Sequence, residues 1–166
     1  PDSPVCGTFG EPSRRWLHEL ANNGIGVWQM LPLAPPDPTG SPYSSPSCFA
    51  INAWFLDASD LANEQFISQD ALNGLPGASM AGATLVDFQL ANHRSEALAD
   101  ALLAAWPQQA SERQDAFQHW CSQQSWLEDH VLFSVLHAQH NNAWWTWPTP
   151  LAQHQRRALK AWAADN

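Results

Sequence analysis

The sequence predicts an α/β fold at its start and an all-helical region behind it, on three observations. Residues 25–33 hold Trp28, Met30, Leu31 and Leu33 in a nearly continuous apolar run, the pattern of a strand covered on both faces rather than one facing water. A helical pattern comes immediately before that run, and a long polar loop bearing proline, glycine and serine follows it as far as Asn52. Helix, buried strand and loop in this order are how α/β barrels and open α/β sheets deliver residues to a ligand, because their sites lie beyond the carboxyl ends of the strands.

Taken in order, residues 1–10 read as a loop rich in Pro, Gly and Ser. Pro12 sits where a first helical turn tolerates proline, and Trp16, Leu17, Leu20 and Ala21 form one apolar stripe at helical spacing. Asn22, Asn23 and Gly24 end that helix, since Asn and Gly accept the left-handed backbone that a helix stop requires. After the strand and its loop, residues 54–57 read as a short strand or extended segment, and 57–66 as a brief helical piece. Residues 73–77 are turn chemistry, and 78–83 are small and loose.

The helical region follows. Asp87 is an N-cap for a helix reaching about Ala105, with Leu90, Ala97, Leu98, Ala101 and Leu102 on one face, and Pro107 closes it. Ser111 with Gln114, and Ser125 with Glu128, have capping-box spacing for two further starts. Asn141 and Asn142 stop the second of these. Residues 144–150 read as an extended aromatic loop and 151–164 as a last helix.

Composition narrows the partners. The formal net charge is -9, from 16 acidic against 7 basic residues, which argues against nucleic acid and against an anionic membrane surface. A neutral substrate is compatible with it. No apolar run approaches the roughly 20 residues of a membrane helix, and no signal peptide pattern is present. Cys6, Cys48 and Cys121 are odd in number and widely spaced, which points to free thiols in a reducing compartment, the cytoplasm. His130, His137 and His140 lie broadly on one helical face next to Asp129, yet the HExxH type of spacing is absent, so no metal is expected; no phosphate-binding glycine loop is present either, and no cofactor is expected.

Tyr43 is the only tyrosine of the chain. Between Pro42 and small serines, its ring offers a sugar face apolar contact with one polar handle; composition alone leaves open that it merely packs the loop. Asp37, Asp57, Asp60 and Glu64 are the acids near this loop, and surface or capping roles are expected for each.

The run Trp28-Gln29-Met30-Leu31-Pro32-Leu33, then Ser41-Pro42-Tyr43, Ser45, Ser47, Phe49-Ala50 and Asn52, resembles the N-terminal signature of the 4-α-glucanotransferases, the amylomaltases or disproportionating enzymes of the α-amylase clan. Trp126-Leu127-Glu128-Asp129 with Leu132-Phe133, and Trp147-Pro148 with Pro150-Leu151, fit the same family in the same order. Gly40 stands where the family has Asp, Ser44 where it has Gln, and Ile51-Asn52-Ala53 where it has Gly-Asn-Pro.

The resemblance implies a partial (β/α)8 TIM barrel, an early strand and helix, with an inserted all-helical subdomain. Residues 1–66 are then the N-terminal part of the catalytic barrel with its substrate loop, and 67–166 the helical insertion. Because such barrels need roughly 250 residues or more, it also implies a fragment, inactive alone. The implied activity moves α-1,4-glucan segments between maltooligosaccharide or starch chains with retention, through two carboxylates about 5 to 5.5 Å apart. None of the family's motifs for those acids occurs here, so no catalytic residue is assigned, and they are expected beyond the fragment. Tyr43 matches the position that stacks on the sugar whose bond is broken, and Ser41 the serine of the same turn that contacts a hydroxyl. A hydrolase or debranching enzyme of the same clan is the near alternative. A non-catalytic carbohydrate-binding or helical interaction module, with Trp144, Trp145 and Trp147 as an exposed planar row, is the distant one.

Overall fold

In the computed structural model, which describes residues 4–80 and 85–165, no strand forms among the described residues, and the expected partial (β/α)8 TIM barrel is corrected to an all-helical architecture. Residues 25–33 form no regular element and pair with no second strand. The bonds that touch this segment are single ones: Ile25 N–H donates to Leu20 O at the end of the preceding helix, and Asn52 N–H to Leu33 O at 2.8 Å. The physical reason is that a strand is defined by its partners. An extended segment with no neighbour to exchange N–H···O=C bonds leaves its backbone to water, whatever its side chains prefer. The apolar run is accordingly exposed, Val27 at 85%. The second candidate strand, 54–57, is replaced by a tight turn of 3-10 helix at Ala53–Phe55.

The helices are α1 Glu11–Asn22, α2 Ala58–Asn63, α3 Gln69–Gly74, α4 Phe88–Ala105, α5 Ser111–Gln123, α6 Leu127–His140, α7 Thr149–Ala152 and α8 Arg156–Asp165. Several begin or end on the chemistry read from sequence: Asp57 caps α2 through Asp60 N–H at 3.0 Å, and Asp87 caps α4 through Leu90 N–H at 3.0 Å. Ser68, not read as a cap, holds the start of α3 through Ala71 N–H at 3.1 Å. Asn141 ends α6 in the left-handed region, φ 46°. Four features depart from the sequence reading, the first being that α6 starts behind Trp126 with no side-chain cap bond, so the expected Ser125–Glu128 capping box does not form. α3 has no counterpart among the expected elements. α5 starts at Ser111 without its capping box, because the Gln114 amide turns back to the carbonyls of Trp106 and Gln109. The last helix is two, broken between α7 and α8 where His154 takes φ 53° and its ring meets Asp129 at 3.1 Å. Residues 1–3 and 81–83 of the expected loops lie outside the described residues.

The chain divides within α5 into two units, Pro1–Gln114 and Asp115–Asn166. In the first, Ala58, Ile67, Leu75 and Leu98 are buried together, with Leu61, Leu72, Ala101 and Leu102 around them, so α4 lays the face read from its periodicity onto α2 and α3. In the second, Leu136, Trp147 and Leu159 form the centre, with Leu132, Phe133, Leu151 and Trp162 packed on it. The three tryptophans of the aromatic stretch are not a planar row. Trp147 is buried, with its indole N–H donating to Asn142 O at 3.3 Å, while the exposed Trp144 and Trp145 rings stand at 85° to one another.

Asn52 is the buried polar side chain of the first unit, 7% exposed, and it closes the long loop. Its N–H reaches Leu33 O, its side-chain oxygen accepts from Trp54 N–H at 3.1 Å, and its carbonyl accepts from Phe55 N–H. Asn52→Ala is expected to cost about 0.5–2 kcal/mol, the usual loss for a helical cap, read as a lower denaturant midpoint at unchanged slope. An unchanged midpoint would show the cap to be dispensable.

Candidate functional site

The loop between Leu33 and Asn52 is held by short-range bonds that its composition supplies. Asp37 begins it with a turn: one carboxylate oxygen, Oδ1, accepts from Thr39 N–H at 2.8 Å, from the Thr39 hydroxyl at 2.6 Å and from Ser41 N–H at 3.0 Å. This is the Asx geometry that Asp adopts two residues ahead of a turn amide. Gly40 takes φ +83° there, a backbone conformation that side-chain-bearing residues avoid. Ser41 then caps one turn of 3-10 helix, Pro42–Ser44, its hydroxyl oxygen accepting from Tyr43 N–H at 3.3 Å.

Downstream, Ser45 and Ser47 work in the same way. The Ser45 hydroxyl donates to Ser47 O at 2.7 Å, and the Ser47 hydroxyl oxygen accepts from Phe49 N–H and Ala50 N–H at 3.2 and 3.1 Å. The loop thereby keeps its shape without a sheet behind it.

Tyr43 is carried at the tip, 74% exposed, and its phenol has no protein partner among the described residues. With Pro32, Leu33, Pro42, Ser45, Ser47, Phe49 and Ile51 it lines an open hollow of about 450 Å³. Ser41 stands one turn away, half-buried, its oxygen already engaged by the Tyr43 amide while its O–H remains available to donate. The two residues expected at the site therefore share one turn, but Tyr43 faces the hollow and Ser41 lies outside its lining.

Two of the neighbouring acids are occupied elsewhere. Asp57 caps α2 and accepts from the Thr8 hydroxyl at 2.5 Å. Asp60 receives the Arg14 guanidinium on both oxygens, at 2.7 and 3.0 Å, and this contact holds its carboxyl below the usual range. Glu64 meets Arg113 only through its backbone carbonyl. The histidines on α6 sit beside aromatic rings: His130 by Trp126, His137 by Phe133 and His140 by Trp147. Among the described residues no three His, Cys, Asp or Glu side chains come together as metal ligands would.

The structural role of Asp37 is what sequence reasoning overlooked. The signal was present in Asp37-Pro38-Thr39-Gly40, an acid two residues ahead of a hydroxyl residue and a glycine, which is turn chemistry. Its carboxyl is held below its ordinary value of 3.8, first by the Thr39 hydroxyl and then by Ser41 N–H. A depressed pKa means that the folded turn favours the ionised form. The stabilising contribution is whole above pH 3.8 and is lost as pH falls through the lowered folded value. An NMR titration of the Thr39 and Ser41 amides is expected to show a midpoint below that of an unstructured Asp; a midpoint at or above it would remove this link.

An exposed phenolic ring over a shallow hollow, with small hydroxyls along the same loop, is chemistry suited to a neutral ligand bearing many hydroxyls. A family model described as 4-alpha-glucanotransferase matches residues 2–166, and the chain belongs to that family. It is 31% identical over 159 residues to a 4-alpha-glucanotransferase of Synechocystis, covering 94% of this chain and 31% of that protein. It is 30% identical over 156 residues to the Thermus thermophilus 4-alpha-glucanotransferase, covering 93% and 30%, and 31% identical over 160 residues to a chloroplastic/amyloplastic one of Arabidopsis thaliana, covering 93% and 27%. The chain thus spans about a third of the length of these relatives.

Proposed function

We propose that this chain is the substrate-contacting N-terminal part of a 4-α-glucanotransferase, an enzyme that takes an α-1,4-glucan segment from one maltooligosaccharide or starch chain and joins it to the 4-hydroxyl of another. The observation that carries the reading is Tyr43, its phenol without a protein partner among the described residues, at the tip of a loop that Asp37, Ser45 and Ser47 hold in shape. A sugar ring laid on that phenol gains apolar contact over its face, and the hydroxyls around its edge meet Ser41 and water. Covering one face of the sugar also restricts water during the charged stage of the reaction, which favours transfer over hydrolysis.

Retention requires two carboxylates facing each other across the reacting carbon. Asp57 and Asp60 are committed to a cap and an ion pair, and we assign no catalytic carboxylate within these 166 residues. No cofactor is assigned. Among the described residues no helix is long and apolar enough to cross a membrane. The three free cysteines favour a reducing compartment, and the cytoplasm is proposed on that ground.

Transfer and hydrolysis are separated by counting bonds. With maltotriose as sole substrate, the protein that carries this chain is expected to release glucose together with longer maltooligosaccharides while the number of reducing ends stays constant. A rise in reducing ends without longer products would replace the transferase with a hydrolase.

A further inference from the structure

We propose that Asp37 is a positioning residue for Tyr43: its carboxylate, with Gly40 seated on the Phe88 ring, fixes the turn from which the phenol is presented. The inference rests on the reading of Tyr43 as the sugar-contacting residue.

Two independent sets of contacts converge on this turn. From one side, the three bonds accepted by Asp37 Oδ1 are closed by Asp37 N–H donating to Ser41 O at 3.0 Å and Gly40 N–H to Asp37 O at 2.9 Å. The Ser41 hydroxyl then accepts from Tyr43 N–H, so the bonded path runs unbroken from the carboxylate to the tyrosine amide. From the other side, Gly40 lies flat against Phe88, the first residue of α4: a Cβ placed on Gly40 would stand 2.4 Å from the ring. Phe88 is itself stacked on Trp54, with centroids 5.6 Å apart and planes 17° from parallel, and the Trp54 indole N–H donates to Asn92 Oδ1 on α4 at 2.9 Å. Helix α4 is thereby the rest against which the turn is pressed.

Tyr43 has no such support of its own. Its ring is exposed and its hydroxyl free of protein contacts among the described residues, so the direction in which it points is inherited from the turn beneath it. An aromatic face that must lie under a sugar loses its advantage when its base wanders, since misplacement by about 1 Å can cost 100-fold in rate. Asp37 is not among the residues that line the hollow, so its effect passes through the turn that carries Tyr43.

The test uses the whole enzyme that carries this chain, with two readouts. In Asp37→Ala, hydrogen exchange of the Ser41 and Tyr43 amides is expected to quicken at least about fivefold with the rest of the first unit unchanged, and kcat/KM for maltotriose transfer to fall about tenfold. Asp37→Asn keeps an oxygen that accepts the same three bonds and is expected to stay within about threefold of the parent in both. Gly40→Ala, which drives a methyl into the Phe88 ring, is expected to resemble Asp37→Ala. In a Tyr43→Ala background, Asp37→Ala should add nothing further to the loss of kcat/KM. Unchanged exchange in Asp37→Ala, no rescue by Asn, or fully additive losses in the double variant would each overturn the positioning role. Faster exchange with Tyr43→Ala as active as the parent would instead leave the turn mechanics standing and reject the sugar-contact reading.

Discussion

Replacing Trp147 by alanine is expected to lower the stability of the second unit by about 3–5 kcal/mol, the range for deleting a large buried aromatic side chain. Trp147 is 7% exposed and touches three groups at once: Phe133 at 5.6 Å between centroids, His140 at 5.6 Å, and the Leu136–Leu159 contact that joins α6 to α8. Its indole N–H also satisfies Asn142 O just past the end of α6, so the deletion opens a void and leaves a carbonyl to water. Trp145, 68% exposed in the same stretch, is the internal control, and Trp145→Ala is expected to cost under about 1 kcal/mol. Denaturant titrations of the two variants decide it. Equal losses would mean that the aromatic stretch is not organised around Trp147.

The second large effect is on activity. Tyr43→Ala in the whole enzyme is expected to reduce kcat/KM for glucan transfer by about 1–3 kcal/mol in transition-state stabilisation, while Tyr43→Phe keeps most of it. The reason for the asymmetry is geometric. The ring face is what a sugar rests on, and the hydroxyl makes no protein contact that the phenylalanine would break. Because Tyr43 is exposed and packs into neither core, the alanine variant should melt with the parent, which separates a lost contact from a lost fold. Transfer kinetics indifferent to Tyr43→Ala would withdraw the ring from the substrate site.

The helices were legible because their signals act over a few residues. Asp57, Asp87 and Asn141 each meet a backbone group within four positions, and the face of α4 carrying Leu98 follows from its own spacing. The break between α7 and α8 was not legible. No glycine or proline marks residues 153–155, where His154 takes φ 53° and its ring meets Asp129, 25 positions away. The loop tip was half legible: its residues are those of the family run and Asp37-Pro38-Thr39-Gly40 is turn chemistry, whereas the sharing of one carboxylate oxygen by Thr39 and Ser41 is seen only in the structure.

What the amino acids settled unaided is family membership and the positions of caps and stops, for these rest on residue identity and on bonds between near neighbours. Where an apolar run ends up is a different kind of question. Residues 25–33 have the composition of a buried strand, yet with no adjoining strand to take their N–H and C=O groups they form no regular element and are largely exposed. Gly40 is legible as a turn residue, but its close approach to Phe88, 48 residues on, is not, because a ladder or a close approach needs a partner that local chemistry cannot name.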